Sequence, residues 1–279
     1  MNYQNLLIDG SYLAHRSHLA PYTLTTSTGL NSKLIHSFLT SLKSLYNKYN
    51  PKQTVIAWES YPTISWRREL YPTYKPCNSD YSEYAELTID LKFILRLLNI
   101  PQYYAPNNEA DDVLANLSVR VTKPTLIFTV DKDLMQLVND DIPVHILSKS
   151  KIFNESRVYD KYKVHPSQIP DLLAITGDKS DNIVGINGLG PKKTSDLLSQ
   201  YDTLQAIPYH KFKGGEDDFQ RATLNKKLTT LNYDCNIQPL YPDGSLISSS
   251  LDELLEKYEL TQIQSSINKF KVIGNEKDY

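Results

Sequence analysis

Residues Gly177–Gly185 read Gly-Asp-Lys-Ser-Asp-Asn-Ile-Val-Gly, and residues Ile186–Lys192 continue as Ile-Asn-Gly-Leu-Gly-Pro-Lys. The two carboxylates of Asp178 and Asp181 suit a divalent cation, because hard cations prefer oxygen ligands. The glycines let the backbone approach a phosphate closely, and a helix that follows them can aim its N–H groups at that phosphate. The two signals together indicate a protein that binds a nucleic acid and cuts it with metal ions.

The glycine-rich part of this stretch lies between two helical segments, so the sequence predicts a helix–hairpin–helix over about residues 171–200. Three glycines and two lysines are its candidate DNA contacts: Gly185, Gly188, Gly190, Lys192 and Lys193. Glycine turns between helices are also common in proteins that bind no phosphate, and that interpretation stays open. The position directly after Asp178 and Asp181 favours a role in binding.

The first part of the chain alternates between short apolar runs and longer helical patterns. The expected strands are Asn5–Ile8, Thr54–Trp58, Gln102–Tyr104, Thr125–Val130 and Pro143–Leu147. The expected helices cover residues 31–49, 84–98, 110–121 and 132–138. Strands that alternate with helices are typical of βαβ units around a parallel sheet. We therefore expect an α/β fold with a mainly parallel, doubly wound sheet, formed by a domain of residues 1–160.

The pattern changes after Asp160. Helical segments are expected from Pro166 and from Lys193, and further ones cover residues 202–207, 216–230 and 251–270. No strand pattern returns in this part of the sequence. We therefore expect residues 161–279 to form a helical, DNA-binding subdomain that contains the helix–hairpin–helix.

Three acidic residues follow expected strands directly: Asp9, Glu59 and Asp131. Ligands of open α/β sheets bind at the carboxyl ends of the strands, where these side chains would meet. Carboxylates brought together there repel one another and have raised pKa values unless cations neutralise them. Taken singly, each residue could instead be the N-cap of the next helix, and that alternative stays open.

Six further acidic residues occur in short clusters: Glu109, Asp111, Asp112, Asp133, Asp178 and Asp181. The first three precede an apolar helix, so an N-cap at Asn107 or Asn108 with acids that favour the helix dipole is one explanation. Three acids in four residues exceed what a dipole needs. Nine acidic positions without histidine fit Mg²⁺ better than zinc, and their number suffices for two ions.

The segment Ser60–Glu83 interleaves basic and aromatic residues without a clear apolar face. Its candidate nucleic-acid contacts are Arg67, Arg68, Tyr74 and Lys75. A solvated basic face and ordinary tyrosine packing explain the same pattern, and both remain alternatives. The functional interpretation is phosphate binding with bases stacked on aromatic rings. The segment is expected to leave the sheet as an excursion.

The formal net charge is −2, but the nine clustered acids contribute much of the negative charge. Without them, 23 acidic residues face 30 basic ones, an excess of seven positive charges. A nucleic-acid partner therefore remains compatible with the composition. Cys77 and Cys235 lie far apart without metal-ligand spacing, and neither a secretory signal nor a membrane-spanning run is visible. We expect a cytoplasmic protein without a membrane partner.

These motifs, in this order, resemble the 5′→3′ exonuclease and flap endonuclease family, which includes the 5′-nuclease domains of bacterial DNA polymerase I and stand-alone phage enzymes. The resemblance covers roughly residues 5–200, and the most specific motif is Gly177-Asp178 followed by Asp181-Asn182. It implies a nuclease with a PIN-like core, a helical arch at about residues 60–90, and two metal ions. The small size looks most like a phage or bacterial enzyme.

The resemblance also implies roles for the acidic residues and for one lysine. The residues around the first ion would be Asp9, Glu59, Glu109 and Asp111. Those at the second ion would be Asp111, Asp131, Asp133 and Asp178, with Asp112 and Asp181 in support. Lys75 matches the arch lysine that stabilises charge on the scissile phosphate, so Lys75, Asp111 and Asp131 are the expected catalytic residues.

The implied cofactors are two Mg²⁺ ions, for which Mn²⁺ can substitute, and a K⁺ ion at the helix–hairpin–helix. The implied substrates are 5′-flap, nicked or primer-bearing duplex DNA, including RNA–DNA hybrids. We expect a monomer that acts beside replication proteins in replication or repair.

Three positions depart from the family pattern. Glu59 stands where Asp is usual, Asn78 replaces a frequent arginine, and Lys192-Lys193 replaces Lys-Thr. Two alternative functions are kept beside the nuclease. One is a non-catalytic DNA-junction binder of the same fold. The other is a ribonuclease of the related PIN type, which usually lacks the glycine hairpin.

Overall fold

A seven-stranded sheet forms the centre of the protein. The computed structural model describes residues 3–60, 65–75, 82–141, 144–241 and 250–260. The strands in these ranges are β1 (Asn5–Asp9), β2 (Gln53–Ala57), β3 (Gln102–Tyr104), β4 (Thr125–Phe128), β5 (Val144–Ser148), β6 (Lys151–Phe153), β7 (Gly177–Asp178), β8 (Ile183–Val184) and β9 (Gln238–Pro239). The sheet has the order β6-β5-β4-β1-β2-β3-β9, and β7 pairs only with β8.

The strands β1 to β5 are all parallel, while β6 and β9 are antiparallel edge strands. The prediction of a mainly parallel α/β sheet is therefore confirmed. The chain runs from β1 to β2 and β3 on one side, then continues with β4 and β5 on the other. The order of the strands reverses between β1 and β4, and ligands of doubly wound sheets bind at such a point.

Ten helices accompany the strands within the described ranges. They are α1 (Gly10–His18), α2 (Lys33–Tyr49), α3 (Arg67–Leu70), α4 (Ser82–Leu97), α5 (Ala110–Arg120), α6 (Glu155–Tyr162), α7 (Ile169–Thr176), α8 (Pro191–Tyr201), α9 (Glu216–Thr229) and α10 (Leu251–Lys257). Short 3₁₀ helices cover Asp133–Leu137, Pro166–Gln168, Leu204–Ala206 and Tyr209–Lys211. Over the same ranges, no helix has the length and apolarity that crossing a bilayer requires.

Two hydrophobic cores cover the two faces of the sheet. Leu6 and Ile8 of β1 point into a core shared with α1, α2, α4 and α10. Leu7 points into the opposite core, which α5 and α7 to α9 complete. Both faces of β1 are therefore buried, which explains why its sequence is a continuous apolar run rather than an alternating one.

Several elements differ from the sequence prediction. The helices α1 and α6 and the strand β6 were not predicted. The absence of strands after Asp160 is also wrong, since β7, β8 and β9 lie there. Each of these three strands has two residues, which is too short to leave an alternating pattern. The helix expected over residues 251–270 ends at Lys257, and residues 261–279 lie outside the described ranges.

The residues beyond 160 also contact the first layer of the fold. The strand β9 pairs with β3, and Lys257 of α10 forms a 2.6 Å ion pair with Asp90 of α4. The division of the chain near residue 160 stays a prediction. Of the arch expected at about residues 60–90, the part from Ser82 onward belongs to α4, which buries Leu87 in the core. Residues 61–64 and 76–81, including Asn78, lie outside the described ranges.

Candidate active site

Asp9 ends β1 and also serves as the N-cap of α1. Its Oδ1 accepts a 2.8 Å hydrogen bond from the Tyr12 backbone N–H, and its Oδ2 accepts one of 3.1 Å from the Thr129 hydroxyl. The N-cap alternative is thus correct for this residue, yet the carboxylate also faces other acids. Burial, together with repulsion from Asp131 and Glu59, raises the pKa of Asp9 to about 7.

The segment after β4 carries Asp131, whose charge acts on Asp9, and Asp133, which begins a 3₁₀ helix. The Asp131 backbone N–H donates to the Thr129 hydroxyl at 3.1 Å, and the Asp131 carboxylate accepts from the Asp133 backbone N–H at 2.9 Å. Burial and the charge of Asp131 raise the pKa of Asp133. The Asp133 Oδ1 atom is buried and has no hydrogen-bond partner among the described residues.

The β7–β8 hairpin brings Asp178 and Asp181 to the same place. Oxygen atoms of Asp133, Asp178 and Asp181 lie within 4.8 Å of one another. Burial acts to raise the pKa of Asp178, but hydrogen bonds from Ser180 and an ion pair with Lys132 outweigh it and lower that pKa. Compensation at Asp181 is weaker. Burial and nearby carboxylates raise its pKa to about 6, although Lys75 opposes them.

The N-terminal end of α5 supplies three acids that point in two directions. Glu109 is the N-cap residue, so the expected asparagine cap is wrong. Burial and the charges of Asp131 and Asp9 raise the pKa of Asp111 well above its usual value, which places Asp111 among the strand-end acids. Asp112 is fully buried and pairs with Arg67 through both of its oxygens, at 2.7 and 2.8 Å.

Glu109 stands between two cations. Its Oε2 contacts the Lys75 ammonium group, and its Oε1 lies 3.2 Å from an Arg67 nitrogen. Burial acts to raise the pKa of Glu109, but Lys75 and Arg67 together lower it. The predicted ligand Glu59 is partly buried, and burial with the charge of Glu109 raises its pKa. Both glutamates therefore face the acidic cluster.

Eight of the nine predicted carboxylates are thus brought together, and Asp112 faces Arg67 instead. The eight are Asp9, Glu59, Glu109, Asp111, Asp131, Asp133, Asp178 and Asp181. The possible metal-binding atoms of this group are all carboxylate oxygens. One of them, the buried Oδ1 of Asp133, has no hydrogen-bond partner among the described residues. Burial and, after it, mutual repulsion raise the pKa of several members. These properties fit hard divalent cations such as Mg²⁺, which would neutralise the repulsion.

Lys75 and Tyr74 lie against this cluster. The Lys75 Nζ contacts Glu109 and lies 3.5 Å from Asp181 Oδ1, while 37% of the side chain remains exposed. The Tyr74 hydroxyl donates to Asp181 Oδ2 at 3.0 Å, and Tyr74 is only 2% exposed. The Tyr74 ring is therefore part of the core and does not present the free face that stacking on DNA requires.

The two arginines of the basic segment stabilise the protein internally. Arg67 is 2% exposed and is held by Asp112 and Glu109. Arg68 donates to the carbonyl groups of Tyr74 and Lys75, which fixes the turn that carries Lys75. Neither arrangement was visible from the sequence, because the partners lie in other elements or in the backbone.

The glycine hairpin lies between α7 and α8, as predicted. A Cβ atom on Gly185 would lie 2.2 Å from the Thr176 carbonyl oxygen, so this glycine permits the close contact between the ends of the hairpin. Gly188 has φ of +82°, a conformation that favours glycine. Gly188, Gly190, Lys192 and Lys193 are exposed, whereas Gly185 is half-buried. Four of the five predicted contacts are thus accessible to DNA.

Lys132 was not predicted as a site residue. Its Nζ lies 2.9 Å from Asp178 Oδ2, so it links the loop after β4 to the β7–β8 hairpin. Its position between Asp131 and Asp133 in the sequence was the available signal. Thr129 was also missed, although it orients both Asp9 and Asp131 through its hydroxyl group.

We expect the metal-free protein to lose stability as the pH rises from about 5 to about 8. The pKa values of Asp9, about 7, and Asp181, about 6, exceed those of an unfolded chain, so the folded state binds more protons in this range. Deprotonation therefore disfavours the folded state. Thermal unfolding in EDTA measures this effect, and Mg²⁺ should raise the Tm more at the higher pH. A Tm that increases with pH in EDTA would contradict the prediction.

A doubly wound sheet with a carboxylate cluster at its switch point, followed by an exposed helix–hairpin–helix, has the features of a metal-dependent nuclease. A sequence profile described as "5′-3′ exonuclease, N-terminal resolvase-like domain" matches residues 4–163. A second, described as "5′-3′ exonuclease, C-terminal SAM fold", matches residues 164–243. The chain belongs to the 5′-3′ exonuclease family.

Individual relatives agree with this result. The chain is 32% identical to a 5′-3′ exonuclease of Aquifex aeolicus, over 95% of this chain and 91% of that protein. It is 27% identical to DNA polymerase I of Bacillus caldotenax, over 98% of this chain but 33% of the polymerase. The fold resembles the T5 D15 protein co-crystallised with metal ions, with a TM-score of 0.65, 20% identity, and coverage of 96% and 99% of the two chains.

Proposed function

We propose that this chain is a structure-specific 5′ nuclease that hydrolyses phosphodiester bonds in flapped, nicked or primer-bearing duplex DNA. The observation that carries this proposal is the cluster of eight carboxylates directly beside an exposed glycine hairpin. The membership in the 5′-3′ exonuclease family supports the same activity. A further solved structure of similar fold is a bacteriophage T5 flap endonuclease with DNA and metal ions, with a TM-score of 0.60 and 19% identity.

The proposed cofactors are two Mg²⁺ ions, for which Mn²⁺ can substitute. Residues for the first ion are Asp9, Glu59, Glu109 and Asp111, and those for the second are Asp111, Asp131, Asp133 and Asp178, with Asp181 in support. When bound, such ions stabilise negative charge on the attacking and leaving oxygens of a phosphodiester. Because Asp112 is fully buried and engaged by Arg67, we no longer propose it as a metal residue.

The protein's own residues supply a cation at the site and the contacts that bind the duplex. Lys75 presents a positive charge at the acidic cluster and is partly exposed, so its ammonium group can reach a phosphate that enters there. The exposed hairpin glycines and Lys192 and Lys193 bind the duplex backbone, with K⁺ as a proposed ligand of the hairpin. The proposed working state is a cytoplasmic monomer that acts beside replication proteins.

The two alternatives make different use of these features. A non-catalytic junction binder would gain nothing from a cluster of acids whose burial and mutual repulsion raise their pKa values. A PIN-type ribonuclease would not need the exposed hairpin between α7 and α8. The structure contains both features, which favours the 5′ nuclease over either alternative.

Incubation with a labelled 5′-flap duplex tests the proposal directly. We expect cleavage near the junction with Mg²⁺ and none with EDTA, and products that carry 5′-phosphate and 3′-hydroxyl ends. Tight binding without cleavage in any divalent metal would favour the junction binder. Preferential cleavage of single-stranded RNA would favour the ribonuclease.

Replacing Lys192 and Lys193 together by alanine should weaken duplex binding by about tenfold and reduce its salt dependence, because each lysine neutralises a phosphate. Both side chains are exposed, so the folded structure should not change. Measurements of Kd at several salt concentrations check this, and kcat at saturating DNA should stay near that of the wild type. An unchanged Kd and salt slope would show that the duplex binds elsewhere.

A further inference from the structure

The guanidinium group of Arg67 uses all of its hydrogen-bond donors inside the protein. Its Nε donates to the Leu228 carbonyl at 2.7 Å. Its Nη1 donates to Glu109 at 3.2 Å and to Asp112 at 2.7 Å. Its Nη2 donates to Asp112 at 2.8 Å and to the Thr230 carbonyl at 3.3 Å. A guanidinium has five N–H groups, so none is left for a DNA phosphate.

The two carbonyl groups belong to the C-terminal end of α9. The last carbonyls of a helix lack partners within the helix and carry a partial negative charge, so a buried cation satisfies and stabilises them. Arg67 itself lies at the start of α3. It therefore connects three elements that are distant in sequence: the base of α3, the N-terminal end of α5, and the C-terminal end of α9.

Asp112 fixes the position of the Arg67 guanidinium group. Its Oδ1 also accepts a 2.9 Å hydrogen bond from the Asn232 backbone N–H, and its Oδ2 accepts one of 3.3 Å from the Trp66 indole. The residue is fully buried. A bidentate arginine–carboxylate pair is rigid and directional, so Asp112 holds the guanidinium plane in one orientation.

Glu109 is the member of this group that faces the acidic cluster. Its Oε1 accepts from Arg67 and, at 2.8 Å, from the Ser65 hydroxyl, which leaves Oε2 directed at Lys75. Arg67 and Ser65 thus fix one oxygen of Glu109, while the other oxygen faces the acidic cluster. Hydrogen bonds that orient a metal-binding carboxylate in this way commonly affect how tightly it binds the metal.

We infer that Arg67 is a positioning residue, which fixes Glu109 for the metal ion and ties the metal site to the end of α9. This role replaces the phosphate contact expected from the sequence. It rests on the proposed function only in that Glu109 holds a metal. The helix α9 packs on α7, and α7 is followed by the segment that contains the glycine hairpin. The hydrogen bonds of Arg67 therefore also set the distance between the glycine hairpin, which binds DNA, and the metal site.

The test measures two kinds of binding without any cleavage. Mn²⁺ binding is followed by electron paramagnetic resonance in the absence of DNA, and binding of a 5′-flap duplex is followed by fluorescence anisotropy in EDTA. Arg67→Ala should weaken Mn²⁺ binding by about tenfold or more, as the loss of a supporting partner does. Its DNA affinity should stay within about threefold of the wild type, because Arg67 contacts no phosphate.

Arg221→Ala is the matched control. Arg221 lies on α9, the helix whose end Arg67 contacts, is paired with Asp218 at 2.8 Å, and is exposed, so neither kind of binding should change. Guanidinium ions added to Arg67→Ala should restore part of its Mn²⁺ affinity and should leave the control unaffected. If Arg67→Ala loses DNA affinity and keeps its Mn²⁺ affinity, Arg67 contacts phosphate and the inference is wrong.

A double-mutant cycle keeps the test informative should Arg67→Ala fail to fold. Arg67→Lys and Asp112→Asn retain polar groups at the same positions and break the same pair from either side. If the pair acts as one unit, the double variant should lose no more Mn²⁺ affinity than the weaker-binding single variant. Additive losses would mean that the two residues act independently on metal binding, and would contradict the inference. A chain that binds Mn²⁺ and DNA but cuts nothing would disprove the proposed function and leave this inference intact.

Discussion

Replacing Asp131 by asparagine should lower kcat on a 5′-flap duplex by about a thousandfold or more, which corresponds to about 4 kcal/mol in the activation free energy. Asp131 is the carboxylate whose charge acts on both halves of the cluster, since it raises the pKa of Asp9, Asp111 and Asp133. Asparagine keeps the size of the side chain and an oxygen that can accept from the Asp133 backbone N–H. The substitution therefore removes a negative charge from the site with little change in shape.

The same substitution should stabilise the metal-free protein. Repulsion between buried carboxylates disfavours the folded state, so the loss of one charge should raise the Tm in EDTA. Activity and stability should thus change in opposite directions. A single-turnover assay measures the first, and thermal unfolding in EDTA at neutral pH measures the second.

Binding measurements provide the control for Asp131→Asn. Its Kd for the duplex in EDTA should be no weaker than that of the wild type, because the hairpin that binds the duplex is untouched. Loss of duplex binding and a lower Tm together would mean that Asp131 serves the fold. Wild-type cleavage rates in the variant would remove Asp131 from the proposed metal site.

Replacing Lys75 by alanine should lower kcat by about a hundredfold or more, through loss of a cation that stabilises the transition state. The KM for the duplex should change by less than about tenfold, because an interaction made mainly in the transition state contributes little to ground-state binding. Single-turnover and steady-state rates on the flap substrate separate the two effects.

The structure adds a second consequence for Lys75→Ala. Glu109 loses its contact with the ammonium group and Asp181 loses a cation at 3.5 Å, so the pKa of each carboxylate should rise. The metal-free variant should therefore be less stable than the wild type at neutral pH, unlike Asp131→Asn. Lys257→Ala is the matched control, because it removes an exposed lysine whose partner, Asp90, is not a member of the acidic cluster. An unchanged rate in Lys75→Ala would refute the catalytic role.

The sequence predicted the parts of the site that depend on strand ends and on one motif. Asp9 and Asp131 follow buried apolar runs, and parallel strands place their carboxyl ends at one edge. Asp178 and Asp181 lie in the motif that also opens the hairpin. These positions follow from local pattern and topology, and the structure brings them together.

The burial of Arg67 and Asp112 and their pairing with each other could not be predicted in the same way. Each residue type is usually exposed, and the sequence contains no sign that residues 45 positions apart form a buried pair. The partners at the end of α9 lie more than 150 residues further along the chain. The burial of Tyr74 was missed for the same reason, since its ring packs against Ile183 and Leu228, which lie far along the chain.

The short outer strand β9 covers the edge of β3 and so limits self-association of the protein. An uncovered edge strand can pair with another chain and start aggregation. Here Tyr103 and Tyr104 of β3 pair with Pro239 and Gln238, and the Leu240 N–H donates to the Gln102 carbonyl at 2.8 Å. Pro239 has no N–H to offer, so β9 ends the ladder instead of extending it. A chain shortened before Gln238 would expose the β3 edge to neighbouring molecules, and its solubility would fall even though every proposed metal residue remained present.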